Sequence, residues 1–158
     1  MNLFILSLIF DECAMMMIDK HISKMILEAV QMLCTAKRLL EPDGDHSNLY
    51  RMTHKNHPVT IWIRTSLANY MWTLDMIEAM HKEWQYRYQH NKEHASYKVA
   101  KWLRENPPSD FPETGLTPFA LAMPDEYKTD DPVESYRAYY RSKAGFATWK
   151  RRDKPAWF

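Results

Sequence analysis

The longest patterned stretch of the chain lies between Asp19 and Leu40. At about 100° per residue, His21, Lys24, Glu28, Gln31, Thr35 and Arg38 fall within one sector of a helix. Most other positions there are apolar, including Ile22, Met25, Ile26, Ala29, Val30, Met32, Leu33, Ala36 and Leu39. A helix this apolar must be largely buried, and its polar line faces either solvent or a cleft. Asp19 is read as its cap, and the EPDG sequence from Glu41 as its stop. Ahead of it, Asp11 is read as the cap of a short helix through Met17. Residues Glu41 to Asn56 read as a loop with a brief structured piece around Leu49 to Met52. Pro58 suits the first turn of a second helix, from Val59 to about Tyr88 with room for a break. A further helix spans roughly Glu93 to Arg104.

The texture then changes. The proline-rich ENPPSDFPETGLTP stretch is irregular, and Thr117-Pro118 is expected to start a short helix that stops at Pro124. Asp131-Pro132-Val133-Glu134 is a strong helix start, with an acid at the cap, proline behind it and glutamate two positions further on. That helix is expected to reach about Lys143 and to be followed by the tail FATWKRRDKPAWF. The first ten residues, MNLFILSLIF, are too short for a membrane span. Running into Asp11 and Glu12 without a basic start, they are not expected to be a signal peptide. They read as a short buried strand or extended segment with Phe4, Ile5 and Leu6 in the core. The expected architecture is all-α: one compact helical domain over residues 1–158, with a short N-terminal extended segment and a wrapped C-terminal tail.

Composition narrows the chemistry. Only Gly44, Gly115 and Gly145 occur, so no glycine-rich phosphate loop can be written. Cys13 and Cys34 form no disulfide framework and no metal spacing, so a reduced, cytoplasmic setting is expected. The formal net charge of +1 leaves no uniformly basic coat, only local basic patches. The clearest patch is C-terminal: Arg137, Arg141, Lys143, Lys150, Arg151, Arg152 and Lys154 interleave with Tyr136, Tyr139, Tyr140, Phe146, Trp149, Trp157 and Phe158. Cations hold a phosphate backbone and flat rings stack on bases, so this segment points to nucleic acid. The alternative is that the rings staple the tail to the core while the cations stay wet.

Two further groups stand out. On the first long helix, a lysine one turn before a glutamate offers an amine for nucleophilic or anchoring work, so Lys20, His21, Lys24 and Glu28 are candidate catalytic residues. On the second, Trp62 and Asn69 share a side with Ser66 and Thr73, and either pack between helices or read an exposed base. His54 and His57 precede Pro58 and, with His21, offer three nitrogens to a metal. The structural alternative has one of the pair capping the helix and the other bonded to a buried carbonyl. His81, His90 and His94 read as surface residues.

The strings DKHISKMILEAVQMLCTA, THKNHPVTIWIRTSLANY, GLTPFALAMPDEY and YRAYYRSKAGFATWKRRDKPAWF span nearly the whole chain. They resemble a family of small bacteriophage and marine-virus proteins. The YY…K…W pattern of the tail is similar to the end of the phage pyrimidine-dimer DNA glycosylases, which are small and all-helical. That resemblance implies attack by the amino group of an N-terminal threonine. This chain departs from it with Met1-Asn2, so a side-chain amine, Lys20 or Lys24, would form the Schiff base instead. The leading expectation is a phage-type enzyme acting on a base of DNA, without a cofactor and without a membrane partner. In it Glu28 is general base or cation stabiliser, His21 assists proton transfer, and Trp62 or a tail aromatic such as Trp149 stacks on a base. Asn69 reads an edge, and Arg137, Arg141, Lys143, Lys150 and Arg151, beside Tyr140, hold phosphates. The alternatives are a metal-dependent nucleotide or phospho-metabolite enzyme using His21, His54 and His57, and a non-catalytic helical module that binds nucleic acid or a host protein.

Overall fold

A computed structural model describes all 158 residues. Six α-helices and two 3-10 turns form the fold, with no strand longer than a single bridge. The helices are α1 (Phe10–Met16), α2 (Asp19–Leu40), α3 (Pro58–Thr65), α4 (Leu67–Arg87), α5 (Ala95–Glu105) and α6 (Pro132–Arg141). The turns cover Asp125–Tyr127 and Ala144–Phe146. The apolar α2 is central and packs on α3, α4 and α5, while α1 packs on α4. The extended segment before α1 is buried from Asn2 to Ser7. Its Phe4 meets the rings of His21, Tyr136, Tyr139 and Tyr140, which seats it between α2 and α6. No helix is long and apolar enough to cross a membrane.

The capping chemistry explains most boundaries. Pro58 opens α3, and the His57 side chain accepts from the Val59 N–H. Asp131 accepts from the Val133 and Glu134 N–H groups at the start of α6. The long second helix is broken at Ser66, whose extended backbone bridges to Glu113 while its hydroxyl caps α4 by accepting from Asn69. The proline-rich segment thus docks into the kink, with the Leu67 and Ala68 N–H groups bonded to the carbonyls of Glu113 and Thr114.

Several expectations are corrected. Asp11 and Asp19 lie inside the first turns of α1 and α2, whose caps are Ile9 and Ile18. Asp19 instead accepts from Arg87, Thr148 and the Lys150 N–H. Leu49 to Met52 form no regular element; the carbonyls of Leu49 and Tyr50 accept from Arg38. Thr117 to Pro124 is not helical. Side chains from elsewhere occupy its backbone: Asn69 takes the Thr117 N–H, Trp62 donates to the Thr117 carbonyl, and Tyr136 bonds Ala120 and Ala122. Those groups are unavailable for a helical ladder. His81 is buried against Tyr97, and His94 caps α5 and bonds Ser23. His54 is exposed and bonds the Thr53 hydroxyl, not a buried carbonyl.

The tail is held by polar hooks. Arg87 is fully buried and pairs with Glu83 at 2.7 Å and Asp19 at 3.2 Å, while also bonding the carbonyls of Ala14 and Met15. Arg152 closes on the same Glu83 at 2.9 Å. This clasp joins the end of α1, the start of α2, the end of α4 and the tail.

Candidate active site

The polar line of α2 is partly roofed. His21 and Thr35 are buried, Glu28, Gln31 and Arg38 are half-buried, and Lys24 is exposed. Glu28 is covered by the chain's first residue. The Met1 amino group lies 3.4 Å from Glu28 Oε1, with the two side chains only 6% and 12% exposed. Glu28 Oε2 is buried and has no partner. A carboxylate sheltered in this way keeps one oxygen on the amine and leaves the other buried without a partner.

His57 completes this corner. Its Nδ1 accepts from the Val59 N–H at 3.1 Å, which leaves the proton of the neutral ring on Nε2. The ring faces the Met1 backbone, and its pKa is lowered, first by burial and then by the positive amine.

About two turns toward the start of α2, His21 forms a second centre. It stacks on Phe4 at 4.7 Å and its Nδ1 lies 2.9 Å from the Tyr140 hydroxyl. That hydroxyl also accepts from the Ile18 N–H at 2.8 Å. Burial, followed by the charges of Lys143, Lys24 and Lys20, pushes the His21 pKa down to about 4. Lys143 stands 4.4 Å above the Tyr139 ring and 5.6 Å from that of Phe4, and Lys20 4.7 Å above Phe146. Burial and the neighbouring Lys20 lower the pKa of Lys143 as well. No carboxylate lies within ion-pair distance of Lys20, Lys24 or Lys143. Three unpaired cations thus gather at the positive end of a long helix dipole, with the one acid of its first turn, Asp19, drawn off to Arg87 and the tail.

Other sequence candidates are spent inside the fold. Trp62 is buried and donates to the Thr117 carbonyl; buried Asn69 bonds the Trp62 carbonyl and both the N–H and hydroxyl of Thr117. Their expected contacts to a base are therefore replaced by contacts between α3, α4 and the proline-rich segment. Tyr140 is fully buried, and Trp149 donates to the Met16 carbonyl. Arg137 bonds the Leu6 carbonyl and Arg141 the Trp157 carbonyl, and both guanidinium groups lie over the Trp157 ring. The expected Arg137–Tyr140–Arg141 patch is thus mostly a staple. Lys150 and Arg151 remain exposed, 5.4 Å and 5.3 Å from the half-exposed rings of Tyr88 and Tyr86.

No three His, Cys, Asp or Glu side chains converge as a metal would require. His21 sits under Phe4, His57 caps α3, and His54 points to Thr53, so the three-histidine expectation is not met. The largest cavity, about 740 Å³, lies between α1 and the tail and is lined by Glu12, Met15, Met16, Arg151, Asp153 and Trp157 among others. It holds none of the α2 stripe. Periodicity marks Glu28 and the lysines, and the reading of one histidine as the cap of the Pro58 helix holds for His57, but the pairing of the Met1 amine with Glu28 was missed. The Arg87 clasp was also missed, since only distant segments create it.

A family model described as pyrimidine dimer DNA glycosylase matches residues 1–96, which include Met1, His21, Glu28 and His57. No curated protein and no solved structure shows a significant match.

Proposed function

The chain belongs to the pyrimidine dimer DNA glycosylase family, and on that premise we propose that it removes a damaged or modified base from DNA through an amine nucleophile. The nucleophile in this reading is the Met1 α-amine, in place of Lys20 or Lys24. The observation that carries it is the sheltered pairing of that amine with Glu28, whose second oxygen is unspent.

Glu28 takes a proton from the ammonium and frees its nitrogen lone pair. The nitrogen bonds to C1′ of the target deoxyribose as the glycosidic bond breaks, and the base leaves with the bonding pair and takes the proton that Glu28 had accepted, which returns Glu28 to the carboxylate. Transfer of a proton from nitrogen to the ring oxygen then breaks the C1′–O4′ bond and gives the protonated Schiff base at C1′. Through the cationic stages the free Glu28 oxygen stabilises positive charge at the sugar. Lys20, Lys24 and Lys143 hold flanking phosphates as point charges. Cations unpaired by any carboxylate beside the amine suit a polyanionic substrate. Neutral His21 stays within the platform under Phe4.

Borohydride trapping on DNA carrying pyrimidine dimers, or an abasic site, tests this reading. The expected adduct maps by mass spectrometry to the Met1 α-amine of a chain that starts at Met1. An adduct mapped to Lys20, Lys24 or Lys143 would remove Met1 from the role. A native amino terminus that is extended, blocked or lacking Met1 would do the same.

A further inference from the structure

We infer that Asn2 and Tyr136 are positioning residues that hold the Met1 amine against Glu28, an inference that rests on the amine reading above. Asn2 is only 8% exposed and spends both ends of its amide. Its Oδ1 accepts from the Leu3 N–H at 2.7 Å, and its Nδ2 donates to the Ala122 carbonyl at 2.8 Å. Tyr136 of α6 is fully buried beside it. The Tyr136 hydroxyl donates to the Ala120 carbonyl at 2.7 Å and accepts from the Ala122 N–H at 3.3 Å, with Asn2 Oδ1 3.5 Å away. One hydroxyl has one proton, so the short bond to Ala120 is the one it donates. Tyr136 therefore fixes the strap at residues 120–122, and the strap fixes Asn2.

The placement matters because residue 2 adjoins the amine, and its grip adds to the packing of the Met1 side chain, which is itself only 6% exposed. Its backbone and the packed Met1 side chain together set where the Met1 nitrogen lies. Buried amide and hydroxyl groups with satisfied partners hold such a geometry stiffly. The strap and α6 both lie beyond residues 1–96. The carboxy-terminal third thus does more than cover the core: it sets the reach of an amine that belongs to the first turn of the chain. A displacement of about 1 Å at a reacting atom costs about 10²-fold in rate, so a loose terminus is enough to silence the site while leaving the DNA face intact.

Tyr136→Phe keeps the ring and removes the hydroxyl. Asn2→Leu is the second variant, retaining the volume while removing both amide bonds. Two readouts apply, besides DNA affinity and thermal melting. One is the rate at which a bulky reagent acylates the Met1 α-amine, measured on the amino-terminal peptide without DNA. The other is the single-turnover rate of borohydride trapping at saturating DNA. Both variants should acylate several-fold faster than wild type and trap more slowly, approaching about 10²-fold, with DNA affinity unchanged. Acylation and trapping both at wild-type rates in folded variants would overturn the clamp, as would a fall in DNA affinity that accounts for the whole loss of trapping. A wild-type protein that forms no adduct on any of these DNAs would overturn the amine mechanism instead, and the acylation rates alone would then decide the clamp.

Discussion

Toward the carboxy end of α2, the Thr35 hydroxyl donates to the Thr53 carbonyl at 2.9 Å and accepts the Thr53 N–H at 3.0 Å, while Arg38 bonds the carbonyls of Tyr50 and Leu49. Toward the amino end, Lys20 and Lys24 have no carboxylate and Glu28 keeps an unpartnered oxygen. The two halves lie on one stripe of one helix and look alike as residue types. They differ in whether the chain uses up their hydrogen-bonding and charge capacity. Where it does, the polar line pins a loop; where it leaves the capacity over, the line is available to a ligand. Periodicity cannot separate these cases, because it reports facing and not partnership.

The comparison breaks first at Glu28. Glu28→Gln should lower the single-turnover trapping rate by about 10²–10⁴-fold while the protein still folds, as read by circular dichroism. Retention of wild-type trapping would place the chemistry elsewhere. Acid comes next. The folded His21 pKa of about 4 lies below its ordinary value of 6.5, so the unfolded chain binds the proton first. Stability should hold above pH 6.5 and fall as the pH drops toward 4, by about 3 kcal/mol for this group alone. His57, His81 and His94 are shifted in the same direction. Urea unfolding of wild type and His21→Gln across that range should show the variant losing less on acidification; parallel curves would refute the assignment.

Thr35→Val probes the other half. It should cost about 2 kcal/mol in denaturant unfolding, since it strands both polar groups of Thr53, with trapping at saturating DNA unchanged. Any loss of trapping there would blur the division between the halves. The gentlest effect is reserved for the lysines. Replacing Lys20, Lys24 and Lys143 together by Gln should leave thermal melting near wild type and flatten the salt dependence of DNA binding by about 0.9 per lost phosphate contact. An unchanged slope across a salt series would show that these cations touch no phosphate.

Much of the helical plan was readable without coordinates. Proline with its preceding acid or histidine marks the starts of α3 and α6, and apolar spacing marks α2, because capping and periodicity act over one or two turns. The same local reasoning failed at Thr117 to Pro124, where proline suggested a helix start. Tyr136, Asn69 and Trp62 reach in from other elements and take the backbone groups that a helix would need. It failed in a similar way for Tyr140 and Arg137, whose types and spacing suggest a nucleic-acid patch but whose polar atoms are taken by Ile18, His21 and Leu6.

What the sequence determined by itself is therefore the set of helices, the burial of α2 and the line of ionisable groups along it, all consequences of forces between near neighbours. Tertiary structure alone decided that the first amine meets Glu28, that Asn2 is gripped by the segment beneath Tyr136, and that Asp19 is drawn away from the lysines by Arg87. Each joins residues far apart along the chain. A polar atom in a closed core takes whichever complementary group the packing brings within reach, and no short-range pattern encodes that choice.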